Sequence, residues 1–199
     1  TPMYPLDIED PLSIGSLSMP HQWYSEFRYK IQEAMDRVIP KLNQIEEDFY
    51  NEFGRRYTGP LELYNTDGAE VVLIVSGAAA GTIKETVDIF RKKGIKVGLI
   101  RLRMFRPFPS EELNKALSKA SFVGVIDRSF SFGHEGAIFS ELKASLYGAK
   151  HSPLIKNFIL GIGGRDITID TISRVYDNCF NCLKNNKIDN PVEWVDIKV

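Results

Sequence analysis

The stretch at residues 70–81, EVVLIVSGAAAG, decides the fold. Residues 70–76 form a nearly unbroken apolar run, the pattern of a strand buried on both faces. Residues 77–81 then offer only glycine and alanine, as a tight strand-to-helix turn requires. Ile83, Val87 and Phe90 follow at helical spacing, and Gly94 stands where a helix end favours a left-handed residue. Outward from this unit the pattern repeats. Residues 95–102 (IKVGLIRL), 122–126 (FVGVI) and 155–160 (IKNFIL) read as three more strands. Between them, Ser110 is placed to cap a helix with Glu111 and Glu112 in its positive first turn, lined by Leu113, Ala116, Leu117 and Ala120. A second helix runs from about Glu135 to Tyr147 and stops at Gly148. A last helix gathers Ile172, Val175, Tyr176, Cys179 and Leu183 on one face, and Val195, Ile197 and Val199 alternate as a short terminal strand. Strands and helices alternating through short loops define an α/β fold, a mostly parallel sheet with helices on both faces.

Upstream, the chain behaves differently. Residues 1–20 hold four prolines and no sustained period, which reads as an extended segment. From Trp23 through Phe27, Ile31, Met35, Val38, Leu42, Ile45, Phe49 and Phe53, apolar residues recur at steps of three and four, a helical stripe ending at Gly54. Pro40 interrupts it, because its ring clashes with the carbonyl of Asp36. Uninterrupted, the helix would be roughly 50 Å long, longer than a compact α/β domain is wide. Two arrangements satisfy this: two helices folded onto their own domain, or a strut on another domain or subunit. The expected division is an arm over residues 1–58 and the α/β domain over 59–199.

The whole chain has 199 residues with 25 Lys+Arg against 26 Asp+Glu, so no net field favours nucleic acid or an anionic membrane. No run approaches the roughly 20 apolar residues that span a bilayer. Two cysteines cannot build a disulfide framework, which points to a reducing, cytoplasmic setting.

In open α/β sheets ligands gather beyond the carboxyl ends of the strands. Loops 77–81, 104–109, 127–135 and 161–166 meet there, bringing Arg106, Asp127, Arg128, His134, Arg165 and Asp166. Gly77, Arg106 and Arg165 are the candidates for an anion site. Each residue also has a plain structural reading. The SGAAAG turn lacks the dinucleotide fingerprint, and no P-loop motif occurs. Arg106 suits a salt bridge or an interface, and Asp127-Arg128 a pair at a strand end. Gly161, Gly163 and Gly164 imply positive φ or close backbone approach, with function or interface both open. Cys179 and Cys182 form a single CxxC late in a helix, half of a zinc site and poorly placed for redox chemistry. No complete catalytic constellation and no metal-ligand set is present in the sequence.

Three blocks nevertheless carry a resemblance: AEVVLIVSGAAAGTIKETVDIFRKKGIKVGLIRLRMFRPFPSEEL (69–113), VIDRSFSFGHEGAIFSEL (125–142) and FILGIGGRDIT (158–168). Together with DPLSIGSLSMPHQWYSEFRYKIQEAM (10–35) they resemble the C-terminal part of the alpha chain of pyruvate:ferredoxin and related 2-oxoacid:ferredoxin oxidoreductases. The resemblance implies a transketolase C-terminal-like domain in an enzyme that turns a 2-oxoacid, pyruvate above all, and coenzyme A into acyl-CoA, CO2 and reduced ferredoxin. It implies thiamine diphosphate, magnesium and iron–sulfur clusters in the whole complex, none of them bound by this chain alone. The GDG…N thiamine–magnesium motif, the cluster-binding cysteine runs and the pyrimidine-binding domain do not occur in these residues. The expected partners are that pyrimidine-binding domain and the other subunits, with ferredoxin and CoA reached through the complex. The expected interface residues are Trp23, Phe27, Arg106, Asp127, Arg128, Gly163, Gly164, Arg165 and Asp166. The equivalent domain of a 2-oxoacid dehydrogenase or transketolase-type enzyme, and a free-standing nucleotide- or CoA-binding module, are the alternatives.

Overall fold

The structure is a computed structural model that describes residues 7–11, 15, 17, 19–21, 23–57 and 59–198. It divides into two compact units, Thr1–Val38 and Ile39–Val199. The first holds helix α1 (Tyr24–Asp36), none of whose residues is buried within the chain. Helix α2 (Val38–Phe53) follows after a break at Arg37. Pro40 falls in the first turn of α2, where its missing N–H costs nothing. Most of α2 belongs to the second unit, so the arm expected over 1–58 divides well before its end. The reason is polar. Glu46 accepts a bond from the Gly59 backbone N–H at 2.8 Å and pairs with Arg103 at 3.2 Å, tying α2 to the sheet. The expected extended segment falls partly on residues outside those described, as does Val199.

Among the described residues, six strands form one sheet in the order β1-β3-β2-β4-β5-β6. They are β1 (Leu61–Tyr64), β2 (Val71–Ser76), β3 (Val97–Leu102), β4 (Phe122–Asp127), β5 (Leu154–Ile159) and β6 (Val192–Trp194). All neighbours run parallel except β1, which is antiparallel to β3. Helices α3 (Ala79–Lys92) and α6 (Ile169–Asn185) cover one face, and α4 (Ser110–Ala116) and α5 (Ala137–Leu146) the other. The run at residues 71–75 is therefore buried on both sides at 1% exposure or less. Its alternate residues feed two cores: Leu73 joins Ile83, Val87 and Tyr176, while Ile74 joins Leu113, Phe139 and Leu142. Each such side chain contributes about 1.5–3 kcal/mol by leaving water.

Three local expectations change. Strand β1 was absent from the sequence reading. Ser110 does not cap α4: the residue before the helix is Pro109, and no side chain bonds its first turn. The terminal strand is residues 192–194, ending before Asp196. There φ is +60°, and the Asp196 carboxylate turns to Thr171 and Arg174 of α6 instead of continuing the ladder.

Candidate functional site

The carboxyl ends of β2, β4 and β5 open into a cleft of about 490 Å³. It is lined by Ser76 and Gly77, Phe105, Asp127 to Ser129, the start of α5, and Gly161, Gly163 and Gly164. The four loops picked out by the sequence do converge here. The three glycines of the 161–164 stretch all have positive φ, between +67° and +83°.

Beneath the cleft lies a buried network that sets its shape. Asp127 ends β4 and is 1% exposed. Its Oδ1 accepts the backbone N–H of Ile138 at 2.9 Å, and its Oδ2 accepts that of Phe139 at 3.2 Å. A carboxylate thus closes the positive N-terminus of α5. Asn157 of β5 donates from Nδ2 to the same Oδ2 at 2.9 Å and to Val125 O at 3.1 Å, while its Oδ1 accepts the Gly136 N–H at 2.9 Å. Gly136 must be glycine here, because a Cβ would stand 2.2 Å from Asp127 Oδ2. Burial pushes the Asp127 carboxyl above its usual range, against the bonds from Ile138, Phe139 and Asn157 that pull it down.

Glu135, next to this network, is also buried. Burial pushes its carboxyl up, but Lys143 at 2.9 Å and Ser140 Oγ at 2.9 Å prevail and hold it below the usual range. His134 is exposed, its Nε2 3.6 Å from Glu135 and 3.4 Å from Ser140 Oγ.

The expected site residues therefore separate. Gly77, Asp127, Arg128, Gly163 and Gly164 line the cleft; Arg106, Arg165 and Asp166 do not. Arg106 turns to Glu141 at 2.5 Å and lies over the Phe105 ring. Arg165 donates to the Asp196 carbonyl. The expected anion set of Gly77, Arg106 and Arg165 is not assembled in one place. Asp127 and Arg128 do not pair: Arg128 donates to Gly161 O at 3.4 Å, and Asp127 faces inward, so its carboxylate holds a turn instead of meeting a partner. Asn157 and Gly136 were missed. The signal was present, since Lys156 and Asn157 interrupt an otherwise apolar strand. Lys156 is spoken for by Glu193 at 2.6 Å and Asn178 at 2.8 Å.

Cys179 is fully buried, and burial pushes its thiol well above the usual range. Among the described residues no group of three His, Cys, Asp or Glu could hold a metal ion, and no helix is long and apolar enough to cross a membrane.

A mostly parallel sheet with a glycine-rich carboxyl edge and a sealed α5 turn defines an α/β domain. Residues 69–172 match the family described as pyruvate:ferredoxin oxidoreductase core domain II, and the chain belongs to that family. It is 38% identical over 198 residues to a ketoisovalerate oxidoreductase subunit VorA of Pyrococcus abyssi, covering 99% of this chain and 50% of that protein. It is 37% identical over 194 residues to a pyruvate synthase subunit PorA of Methanosarcina barkeri, covering 97% and 48%. A solved 2-oxoglutarate:ferredoxin oxidoreductase from Magnetococcus marinus overlays with a TM-score of 0.45 and 20% identity, over 74% of this chain and 23% of that one. The chain spans about half the length of the curated relatives it matches.

Proposed function

We propose that this chain is the docking and scaffolding domain of the alpha chain of a thiamine-diphosphate-dependent 2-oxoacid:ferredoxin oxidoreductase. The assembled enzyme would convert a 2-oxoacid and coenzyme A into acyl-CoA, CO2 and reduced ferredoxin in the cytoplasm. Pyruvate and branched 2-oxoacids such as ketoisovalerate are the substrates to compare first, given the names of its relatives. The observation that supports a scaffolding role is the fate of Asp127: among the described residues, the one carboxylate lining the carboxyl-edge cleft is spent on closing α5.

The carboxyl-edge cleft and the two cysteines do not fit the family's metal centres. Magnesium with a diphosphate needs free oxygen ligands, and both Asp127 oxygens are taken. An iron–sulfur cluster needs several thiolates, whereas Cys179 is sealed in the core beside a lone Cys182. Those groups fall to the other parts of the enzyme, and with them the bond-making chemistry. The surfaces offered to partners are the exposed aromatics of the first unit, Trp23 at 72% and Phe27 at 55% exposure, and, on the second unit, Arg106, Arg128, Gly163, Gly164, Arg165 and Asp166.

The test is reconstitution. Mixed with the pyrimidine-binding half of an alpha chain and the remaining subunits, the chain should co-purify and restore 2-oxoacid-dependent ferredoxin reduction. Failure to co-purify removes the proposal. Reduction of NAD in place of ferredoxin by the assembled enzyme would move the chain to the dehydrogenase-type alternative.

A further inference from the structure

A second cleft, of about 560 Å³, lies on the other side of the Gly77 turn, at the carboxyl end of β3. Its walls include Arg101, Arg103, Arg56, Tyr57 and Glu62. Arg101 and Arg103 are two residues apart at the end of a strand, so they rise on the same side from Cα atoms about 6.6 Å apart.

The arginines differ in how fully they are engaged. Arg56 has its fork closed on Glu47, at 2.7 and 3.2 Å, and serves as wall. Arg103 makes both of its bonds from one nitrogen: Nη1 donates to Gly59 O at 2.9 Å and to Glu46 at 3.2 Å. Its Nη2 and Nε have no partner among the described residues. Its guanidinium plane is steadied over the Tyr57 ring at 4.8 Å. Arg101 has a single long contact, 3.4 Å to Glu62 Oε2. Glu62 belongs mainly to Lys84, which binds the other oxygen and is the chief cause of the lowered Glu62 carboxyl. Four cations (Arg56, Arg101, Arg103, Lys84) thus face three carboxylates (Glu46, Glu47, Glu62). Of the three guanidinia in the groove's wall, those of Arg101 and Arg103 are the least engaged.

We propose that this groove binds a diphosphate group, with Arg101 and Arg103 each presenting a planar fork to one phosphoryl unit. Two under-engaged forks on side chains that leave the strand on one side suit an anion with two linked phosphoryl groups, which accepts bidentate bonds from each. The volume exceeds what an ion needs and falls among small-molecule pockets, typically about 300–1,000 Å³. The proposal goes beyond the docking role and does not rest on it, because the groove is complete within the chain.

The test is calorimetry of the whole chain with inorganic pyrophosphate, in moderate salt, and a parallel titration with ADP to separate a free diphosphate from one carried on a nucleoside. Saturable pyrophosphate binding is expected. Arg101→Gln should weaken it by about tenfold or more, since charge-assisted bidentate bonds are lost, while its melting temperature stays near that of the parent chain. Arg106→Gln, outside the groove, should leave binding unchanged. ADP binding that equals or exceeds pyrophosphate binding, and is lost in Arg101→Gln, also supports the site. No binding of either at millimolar concentration, or equal losses in the Arg101 and Arg106 variants, overturns it.

Discussion

The turns from β2 into α3 and from β4 into α5 occupy equivalent places, at the carboxyl ends of neighbouring parallel strands, yet they start their helices in opposite ways. The β4–α5 turn is long and fastened from inside: Asp127 accepts two α5 N–H groups, and Asn157 holds both Asp127 and Gly136. The β2–α3 turn is short, made of Gly77 with φ +78° and Ala78, and no side chain caps the helix that follows. In the first turn the positive helix end is neutralised by the chain's own carboxylate, and the polar groups there serve stability. In the second, nothing of the kind is built in, and the neighbouring guanidinia of Arg101 and Arg103 keep free donors. Equivalent positions in one sheet can thus be closed or left open by whether an acid is turned inward.

The largest expected effect breaks the fastened turn. Asp127→Ala leaves two backbone donors without acceptors and takes one of the two acceptors of Asn157 Nδ2, and should cost about 3–5 kcal/mol in urea unfolding. A loss under about 1 kcal/mol would show that water replaces the carboxylate. Gly136→Ala drives a methyl group into Asp127 and should cost about 2–3 kcal/mol. Gly77→Ala sharpens the contrast, since nothing lies within 4 Å of the added Cβ. It meets only the left-handed backbone penalty, about 1–2 kcal/mol, and a cost equal to that of Gly136→Ala would erase the distinction between the turns.

The smallest effect concerns pH. Asp127, raised by burial, favours the folded state below the ordinary aspartate range, and that contribution fades as pH rises through its raised value. Asp196 is the reverse: Arg174 first, then Thr171, hold its carboxyl low, so its contribution is present above the ordinary range and is lost as pH falls through the lowered value. Arg174→Gln should therefore destabilise by about 0.5 kcal/mol near neutrality, the pair being partly exposed. The deficit should vanish in acid, as read from melting curves across pH.

Much of the fold was legible because burial imposes a period. A strand covered on both faces has to read like residues 71–75, and a helix packed on one face like Ile172, Val175, Tyr176 and Cys179. Strand β1 was not legible. It is four residues long, and its pairing, Leu61 with Leu102, joins segments far apart in sequence. The terminal alternation of Val195, Ile197 and Val199 misled because side-chain pattern says nothing of the Asp196 bonds that turn the chain. At the site, glycine and charge marked the right loops, but direction was invisible: Asp127 and Arg106 looked equally available, and one closes a helix while the other pairs with Glu141. The Arg101–Arg103 pair straddles the end of a strand and drew no attention, although strand alternation places both on one side.

The packing of α6 against β4 has a practical consequence for the two thiols. Cys179 lies against Gly124, its Sγ 3.1 Å from where a Cβ on that glycine would stand, whereas Cys182 is half-buried, 3.6 Å from Asn178 Oδ1. Because alkylation needs an accessible thiolate, a maleimide dye should attach to Cys182 alone in the unaltered chain. A fluorophore or spin label placed there without any substitution would report on neighbours arriving at that flank of the sheet during assembly.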